Sequence, residues 1–160
     1  MKGDHLPQKP SGSISAILKE YEPRRENLLP ILHRLQGSTP AHYISEDALR
    51  ETAAYLRISC AEVYGVASFY SMFSLEPRGK YVIRVCTSPS CSIHYSIITM
   101  LEDLLGISPG ETTSDNLVTL EPSSCLGVCE RAPAMMVDGE VYGDLTREKI
   151  REILERISHE

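Results

Sequence analysis

Residues 80–91 read KYVIRVCTSPSC, and this stretch decides how the fold of the chain is interpreted. Its first seven residues are rich in β-branched and aromatic side chains, which are typical of a strand. The predicted strand ends in Cys86, and Cys91 follows after a short segment of Thr, Ser and Pro. A second close pair, Cys125 and Cys129, lies in the stretch SSCLGVCERAP. Because binding sites concentrate in loops at strand ends, the two pairs predict a metal site on an α/β scaffold.

Four thiols in two close pairs can bind metal in more than one way. A [2Fe–2S] cluster needs two ligands on each iron, and cysteine thiolates are its usual ligands. Structural zinc tolerates a similar spacing of cysteines. A thioredoxin-like dithiol normally has the motif Cys-x-x-Cys, which this sequence lacks. Spacing and context therefore favour an iron–sulfur cluster, and they leave structural zinc and thiol redox chemistry as alternatives.

The composition limits the compartment and the classes of partner. The chain has 160 residues, of which 42% are hydrophobic, and it has no apolar run long enough to span a bilayer and no secretory signal. An intracellular, cytoplasmic location is therefore expected, where clustered thiols bind metal more often than they form disulfides. The formal net charge of −6 argues against nucleic acid as a partner, because phosphate binding needs a basic surface.

The N-terminal half is predicted to be helical. Residues 1–12 are rich in Pro, Gly, Ser and Lys and are interpreted as a mobile tail. Residues 13–78 are predicted to form a helical bundle, because apolar residues recur at helical spacing. Ser45 is a predicted helix start, since its hydroxyl can cap free amides and two acidic residues follow it. The predicted helices begin near residue 14 and then cover residues 26–36, 45–56 and 61–69.

The C-terminal half is predicted to form an α/β sandwich with a small mixed sheet, over residues 79–160. The order of its elements is β-α-β-β-β-α. Asp138 and Gly139 form a two-residue hairpin signal between the last two strands. The final helix is expected to start at Thr146. The other predicted elements are strands at residues 80–86, 117–120, 134–137 and 140–142, and a helix at residues 93–105.

Two segments then make a family resemblance visible. They are VCTSPSC and SSCLGVCERAPAMMVDGEVYGDLT, preceded by AEVYGVASFYSMFSLEPRGKYVIRVC. These residues resemble the NuoE-type [2Fe–2S] subunit family of complex I and of related NAD-linked hydrogenases and formate dehydrogenases. The resemblance covers residues 14–157. It implies a thioredoxin-like fold after an N-terminal helical bundle, and one [2Fe–2S] cluster held by Cys86, Cys91, Cys125 and Cys129.

The resemblance also implies a function and a set of partners. Members of the family exchange single electrons with a subunit that binds flavin mononucleotide and NAD(H), and they work beside further iron–sulfur subunits. The sequence has no Gly-rich dinucleotide fingerprint, which agrees with NAD(H) binding on another chain. The expected function is therefore electron transfer within an NAD(H)-linked oxidoreductase, with no catalytic activity of the isolated chain and no insertion into the membrane. The alternative function is a zinc-stabilised assembly module without a redox role.

Some residues outside the paired cysteines carry expectations of their own. The sequence Ser92-Ile93-His94-Tyr95 departs from the family pattern after Cys91. The cluster potential and the partner contact of the family are therefore not carried over to this chain. Cys60 is expected to be a buried free cysteine in the helical core. The uncharged segment 63–73 is expected to be core, with a docking patch as the alternative. Three charged residues flank the second pair and either tune the cluster potential or form a solvated rim: Glu121, Glu130 and Arg131.

Overall fold

The computed structural model describes residues 13–88 and 95–159, and for residues 95 and 96 it describes the backbone alone. The predicted mobile tail therefore lies outside the described residues. The chain separates into two compact units, Met1–Pro77 and Arg78–Glu160. The limits assigned to the two domains from the sequence stay a prediction.

The described part of the first unit is helical. A 3₁₀ turn at Arg25–Asn27 leads directly into the second helix, and Pro30 lies in the first turn of that helix, where its missing N–H costs no hydrogen bond. The sequence predicts that this helix ends at residue 36, but the helix continues through Gly37 to Ser38. The α-helices are α1 (Ile14–Leu18), α2 (Leu28–Ser38), α3 (Glu46–Leu56) and α4 (Cys60–Phe69).

Serine caps and apolar stripes explain these helices. Ser45 accepts a hydrogen bond from the backbone N–H of Ala48 at 3.2 Å, as its sequence context predicts. Ser59 caps α4 in the same way through the N–H of Glu62. The apolar stripes meet in one buried core, which includes Ile17, Ile31, Leu32, Leu35, Leu49, Leu56, Val63 and Phe73.

Helix α4 contradicts the expectation for Cys60 and agrees only in part with the expectation for segment 63–73. Cys60 is exposed instead of buried. It is the first residue of α4, whose buried side is formed by Val63 and Ala67, so its side chain lies outside the core. The segment 63–73 contains buried core residues, but it also exposes Tyr64 and Phe69, and Phe69 is 80% exposed.

The described part of the second unit contains a four-stranded mixed sheet with the strand order β2-β1-β3-β4. β1 pairs in parallel with β2 and antiparallel with β3, and β3 and β4 form the hairpin that Asp138 and Gly139 predict. Both turn residues have positive φ, as the turn requires. The strands are β1 (Tyr81–Cys86), β2 (Val118–Ser123), β3 (Met135–Val137) and β4 (Glu140–Tyr142).

Helices α5 (Tyr95–Leu105) and α6 (Arg147–Ser158) pack with the sheet. Alternate residues of β1 share one core with both helices, which is how an amphipathic helix buries its apolar stripe on a sheet. Thr146 caps α6 through the N–H of Lys149, as expected from the sequence. The core includes Tyr81, Ile83, Val85, Ile97, Leu101, Leu120, Met135, Ile150 and Ile153. The predicted order β-α-β-β-β-α and the mixed sheet are confirmed.

Candidate metal centre

Cys86 is fixed by the end of the sheet. It is the last residue of β1, its side chain is buried, and it lies opposite Ser123 of β2 in the parallel register. The next amide, that of Thr87, donates a hydrogen bond to the carbonyl of Ser123 at 2.8 Å. The ladder between the two strands thus continues past Cys86. Because β2 leads directly into the second cysteine pair, this pairing brings the two cysteine-bearing segments together.

Cys125 and Cys129 lie on the loop that follows β2, and both are exposed. Gly127 turns the loop between them with φ +73, which a glycine adopts without strain. Its backbone N–H points at the sulfur of Cys125, at a distance of 3.4 Å between nitrogen and sulfur. Cys129 then begins a 3₁₀ turn that spans Cys129–Arg131. The loop therefore carries two thiols, and at least one of its backbone amides can donate a hydrogen bond to a sulfur.

Three of the four predicted ligands line one small pocket. Cys86, Cys125 and Cys129 all line it, and Cys91 lies outside the described residues. Within the described part of the chain, no three His, Cys, Asp or Glu side chains are grouped closely enough to hold a single metal ion together. The remaining lining is apolar or small and consists of Leu126, Gly127, Val128, Ala132 and Ala134.

In the hydrogen bonds at this pocket, Cys86 acts as a thiol that carries its proton. The Sγ of Cys86 donates to the carbonyl oxygen of Ser124 at 3.2 Å, and the hydroxyl of Ser88 donates to the same oxygen. A thiol that binds metal does so as the thiolate and then has no proton to donate. The contact of Cys86 with Ser124 therefore marks how close the two segments lie, whereas the N–H of Gly127 remains a donor to a thiolate at Cys125.

A charged cluster lies on the strands that carry these loops and on the segment just before β1. Glu121 of β2 accepts a hydrogen bond from Nε of Arg84 at 3.0 Å. Its other oxygen lies 2.7 Å from Nε of Arg78, an ion pair whose geometry makes no hydrogen bond within the described part of the chain. Burial lowers the pKa of Arg78, and the charge of Glu121 opposes that shift. Sequence reasoning singled out Glu121 and missed both arginines, because their contacts depend on the strand register.

The other two flanking charges lie on the surface. Glu130 and Arg131 are exposed, and Nε of Arg131 lies 3.7 Å from a carboxylate oxygen of Asp144. Exposed ion pairs of this kind contribute little to stability. His94, which belongs to the segment that departs from the family pattern, lies outside the described residues.

The comparison with known protein families matches this architecture. The profile of the thioredoxin-like [2Fe-2S] ferredoxin family matches residues 14–158, nearly the full length of the chain. The chain belongs to the thioredoxin-like [2Fe-2S] ferredoxin family. Membership confirms the family resemblance drawn from the cysteine motifs and from the segments around them.

The chain is also similar to curated proteins along most of its own length. The chain is 38% identical over 143 residues to the E subunit of NADH-quinone oxidoreductase from Mycobacterium tuberculosis, covering 88% of this chain and 56% of that protein. It thus spans little more than half the length of that relative. It is 36% identical over 155 residues to the protein of the same name from Pseudomonas aeruginosa, covering 94% of this chain and 90% of that protein.

A solved structure shares the fold. A chain of an NAD⁺-reducing [NiFe]-hydrogenase in the air-oxidised state aligns with a TM-score of 0.73 at 24% sequence identity, covering 83% of this chain and 23% of that chain. At this identity the likeness establishes the fold, and the predicted thioredoxin-like architecture is confirmed. No described helix of the ferredoxin-family chain is long and apolar enough to cross a membrane.

Proposed function

We propose that this chain is the electron-transfer [2Fe–2S] subunit of an NAD(H)-linked flavin oxidoreductase complex. The observation that carries the proposal is the pocket at the ends of β1 and β2, which is lined by three of the four predicted thiol ligands. The chemistry of this donor set fits the cluster, since thiolates are its usual ligands and the rest of the lining is apolar or small. Family membership supports the same cofactor.

Four residues would hold the single cluster: Cys86, Cys91, Cys125 and Cys129. When bound, the cluster takes up and releases one electron at a time. The chain supplies a strand end for Cys86 and a glycine-containing turn for the second pair. The N–H of Gly127 would stabilise negative charge on the sulfur of Cys125, and hydrogen bonds to the sulfurs are one of the factors that set a cluster's potential.

The partners follow from the proposed role. As the family resemblance implies, we expect the chain to exchange electrons with a subunit that binds flavin mononucleotide and NAD(H), and with further iron–sulfur subunits. Two relatives are named as subunits of NADH-quinone oxidoreductase, and the structural neighbour is an NAD⁺-reducing hydrogenase. We place the chain in a cytoplasmic module of such a complex. The isolated chain should not oxidise NADH, because it supplies the cluster and not the flavin.

The test is cluster loading of the purified protein with a pair of matched cysteine variants. The wild-type protein, prepared without oxygen and supplied with iron and sulfide, should hold about two irons per chain and give a [2Fe–2S] paramagnetic signal after reduction. Cys125→Ala should lose most of the iron, because one iron loses a ligand. Cys60→Ala is the control, since Cys60 is also exposed but lies in the first unit; it should load like the wild type.

Two outcomes would contradict the proposal. Equal loss of iron in both variants would show that the ligand assignment is wrong. A colourless wild-type protein with one zinc per chain would instead indicate the zinc-stabilised assembly module, an alternative that none of the comparisons supports.

A further inference from the structure

A bend after β4 lies against the loop that carries the second cysteine pair. We call residues 143–145 the clasp. The backbone N–H of Asp144 donates to the carbonyl of Arg131 at 2.7 Å, and the N–H of Leu145 donates to the carbonyl of Pro133 at 3.0 Å. Both acceptors lie just after Cys129. The clasp therefore holds the end of the cysteine loop with two backbone hydrogen bonds.

The first residue of the clasp has no room for a side chain. A Cβ atom added to Gly143 would lie 2.6 Å from Cβ of Arg131 and 2.8 Å from its carbonyl oxygen. Neither atom is the movable end of a side chain, so any larger residue must push the two backbones apart. Gly143 thus sets how closely the clasp and the cysteine loop approach each other.

The clasp is itself tied to helix α6. The ammonium group of Lys149 donates to the carbonyl of Gly143 at 2.7 Å. Lys149 lies in the first turn of α6, and its backbone N–H is capped by Thr146. The isoleucines of α6 lie in the core of the sheet. The packed core of the unit therefore fixes the position of the clasp through α6.

A displacement of Arg131 would be transmitted to Cys129. Both residues belong to the same 3₁₀ turn. The N–H of Arg131 donates to the carbonyl of Val128 at 3.0 Å, and the N–H of Ala132 donates to the carbonyl of Cys129 at 3.3 Å. These two hydrogen bonds couple the backbone of the turn, so we expect a shift of Arg131 to reach Cys129.

We infer that Gly143 and Lys149 are positioning residues that set the place of the Cys129 thiolate at the cluster. The inference rests on the proposed function, because it needs a cluster held in part by Cys129. Its consequence is specific. Loosening the clasp changes the geometry of the iron that Cys129 binds, and so changes the spectroscopic signature of the loaded protein.

The first experiment compares two glycine variants of the full chain after loading without oxygen. Gly143→Ala should shift the paramagnetic g values of the reduced cluster and its reduction potential relative to wild type. Gly79→Ala is the matched control, because its Cβ would also collide with backbone, 2.8 Å from atoms of Val118. Gly79 precedes β1 and is about 20 Å from Cys86 along the strand. It should lower stability and leave the signature unchanged.

The second experiment uses lysine variants, which decide the matter if either glycine variant does not fold. Lys149→Met removes the donor to the clasp and should shift the signature in the same direction as Gly143→Ala, and Lys149→Arg should restore it. Lys80→Met, at the far end of β1 from Cys86, should have no effect on it.

The results separate the two proposals. A wild-type protein that takes up no iron and sulfide overturns the proposed function, and the inference with it. If the wild type loads and Lys149→Met has the same signature as the wild type, the role of the clasp is wrong and the proposed function stands. The same holds if Gly79→Ala shifts the signature as Gly143→Ala does.

Discussion

Glu121 is a residue outside the two apolar cores whose loss should cost substantial stability. It forms ion pairs with Arg84 and Arg78, and the side chain of Arg78 is 7% exposed. Removing one partner of a buried ion pair leaves charge in a poorly hydrated place. Glu121→Gln should therefore lower the free energy of unfolding by about 3 kcal/mol, measured by chemical denaturation.

An exposed ion pair provides the control for this prediction. Glu22 pairs with Arg24, and both side chains are 69% exposed. Glu22→Gln should change the free energy of unfolding by less than about 1 kcal/mol. If the two variants lose the same amount, the cluster around Glu121 is hydrated and its burial does not matter.

Tyr142 should give the protein a distinct response to alkaline pH. Burial, followed by the hydrogen bond and the charge of Glu140, raises the pKa of Tyr142 to about 12, against the partial opposition of Arg156. The unfolded chain releases this proton near pH 10, its ordinary value. The stabilisation is therefore complete below pH 10 and is lost as the pH rises toward 12.

The measurement is the free energy of unfolding of wild type and Tyr142→Phe as a function of pH. The wild type should lose more stability than the variant between pH 10 and 12, because the variant has no phenol to ionise. Between about pH 7 and 9 the two curves should run in parallel. Parallel curves up to pH 12 would show that folding does not perturb this phenol.

The spacing of the cysteines predicted which thiols lie near one another, but it did not predict the contacts that support them. The close pairs predicted Cys86, Cys125 and Cys129 as neighbours, and the three thiols line one pocket. The link from Glu121 to Arg78 and Arg84 could not be predicted, because it depends on the register of two strands separated by a helix. The prediction that Cys60 is buried was wrong, since the presence of a cysteine in a helix says little about which side of the helix it occupies.

At the scale of the element, the cap of helix α3 offers a measurable contribution. The hydroxyl of Ser45 satisfies the N–H of Ala48, which has no partner inside the helix. Ser45→Ala should lower the free energy of unfolding by about 1 kcal/mol. Ser68→Ala is the control, because Ser68 is exposed within α4 and caps no N–H at a helix start; it should change stability by less than about 0.5 kcal/mol. Equal losses would show that the cap contributes nothing.

Elements with strong local signals were predicted closely, and those set by packing were not. The acidic first turn after Ser45 and the Asp138-Gly139 turn fix backbone geometry within a few residues. Gly37 is a helix breaker by propensity, yet α2 continues through it, because tertiary packing outweighs the roughly 1 kcal/mol that a glycine costs in a helix. Strand β2 extends to Ser123, beyond the predicted Leu120, since its pairing with β1 continues to Cys86.

At the scale of the molecule, each apolar core is formed within one unit. The core of the first unit contains Leu32, and that of the second contains Leu101, and both side chains are fully buried. The alternation of strands and helices predicted the α/β architecture of the second unit, whereas no sequence pattern predicted the order of its strands. That order places β1 between β2 and β3, so the strand that ends in Cys86 is supported on both sides.

Separate cores predict separate responses to core mutations in the cluster-loaded protein. Replacing a fully buried leucine with alanine removes apolar contacts and leaves a cavity, which costs about 3 kcal/mol. Leu32→Ala should therefore lower the denaturant midpoint seen by far-ultraviolet circular dichroism, which reports largely on helix, more than the midpoint seen by the visible absorbance of the cluster. Leu101→Ala, the matched variant in the second core, should lower the midpoint of the cluster absorbance more. Two variants that shift both midpoints equally would contradict this, because the units would then unfold as one cooperative structure.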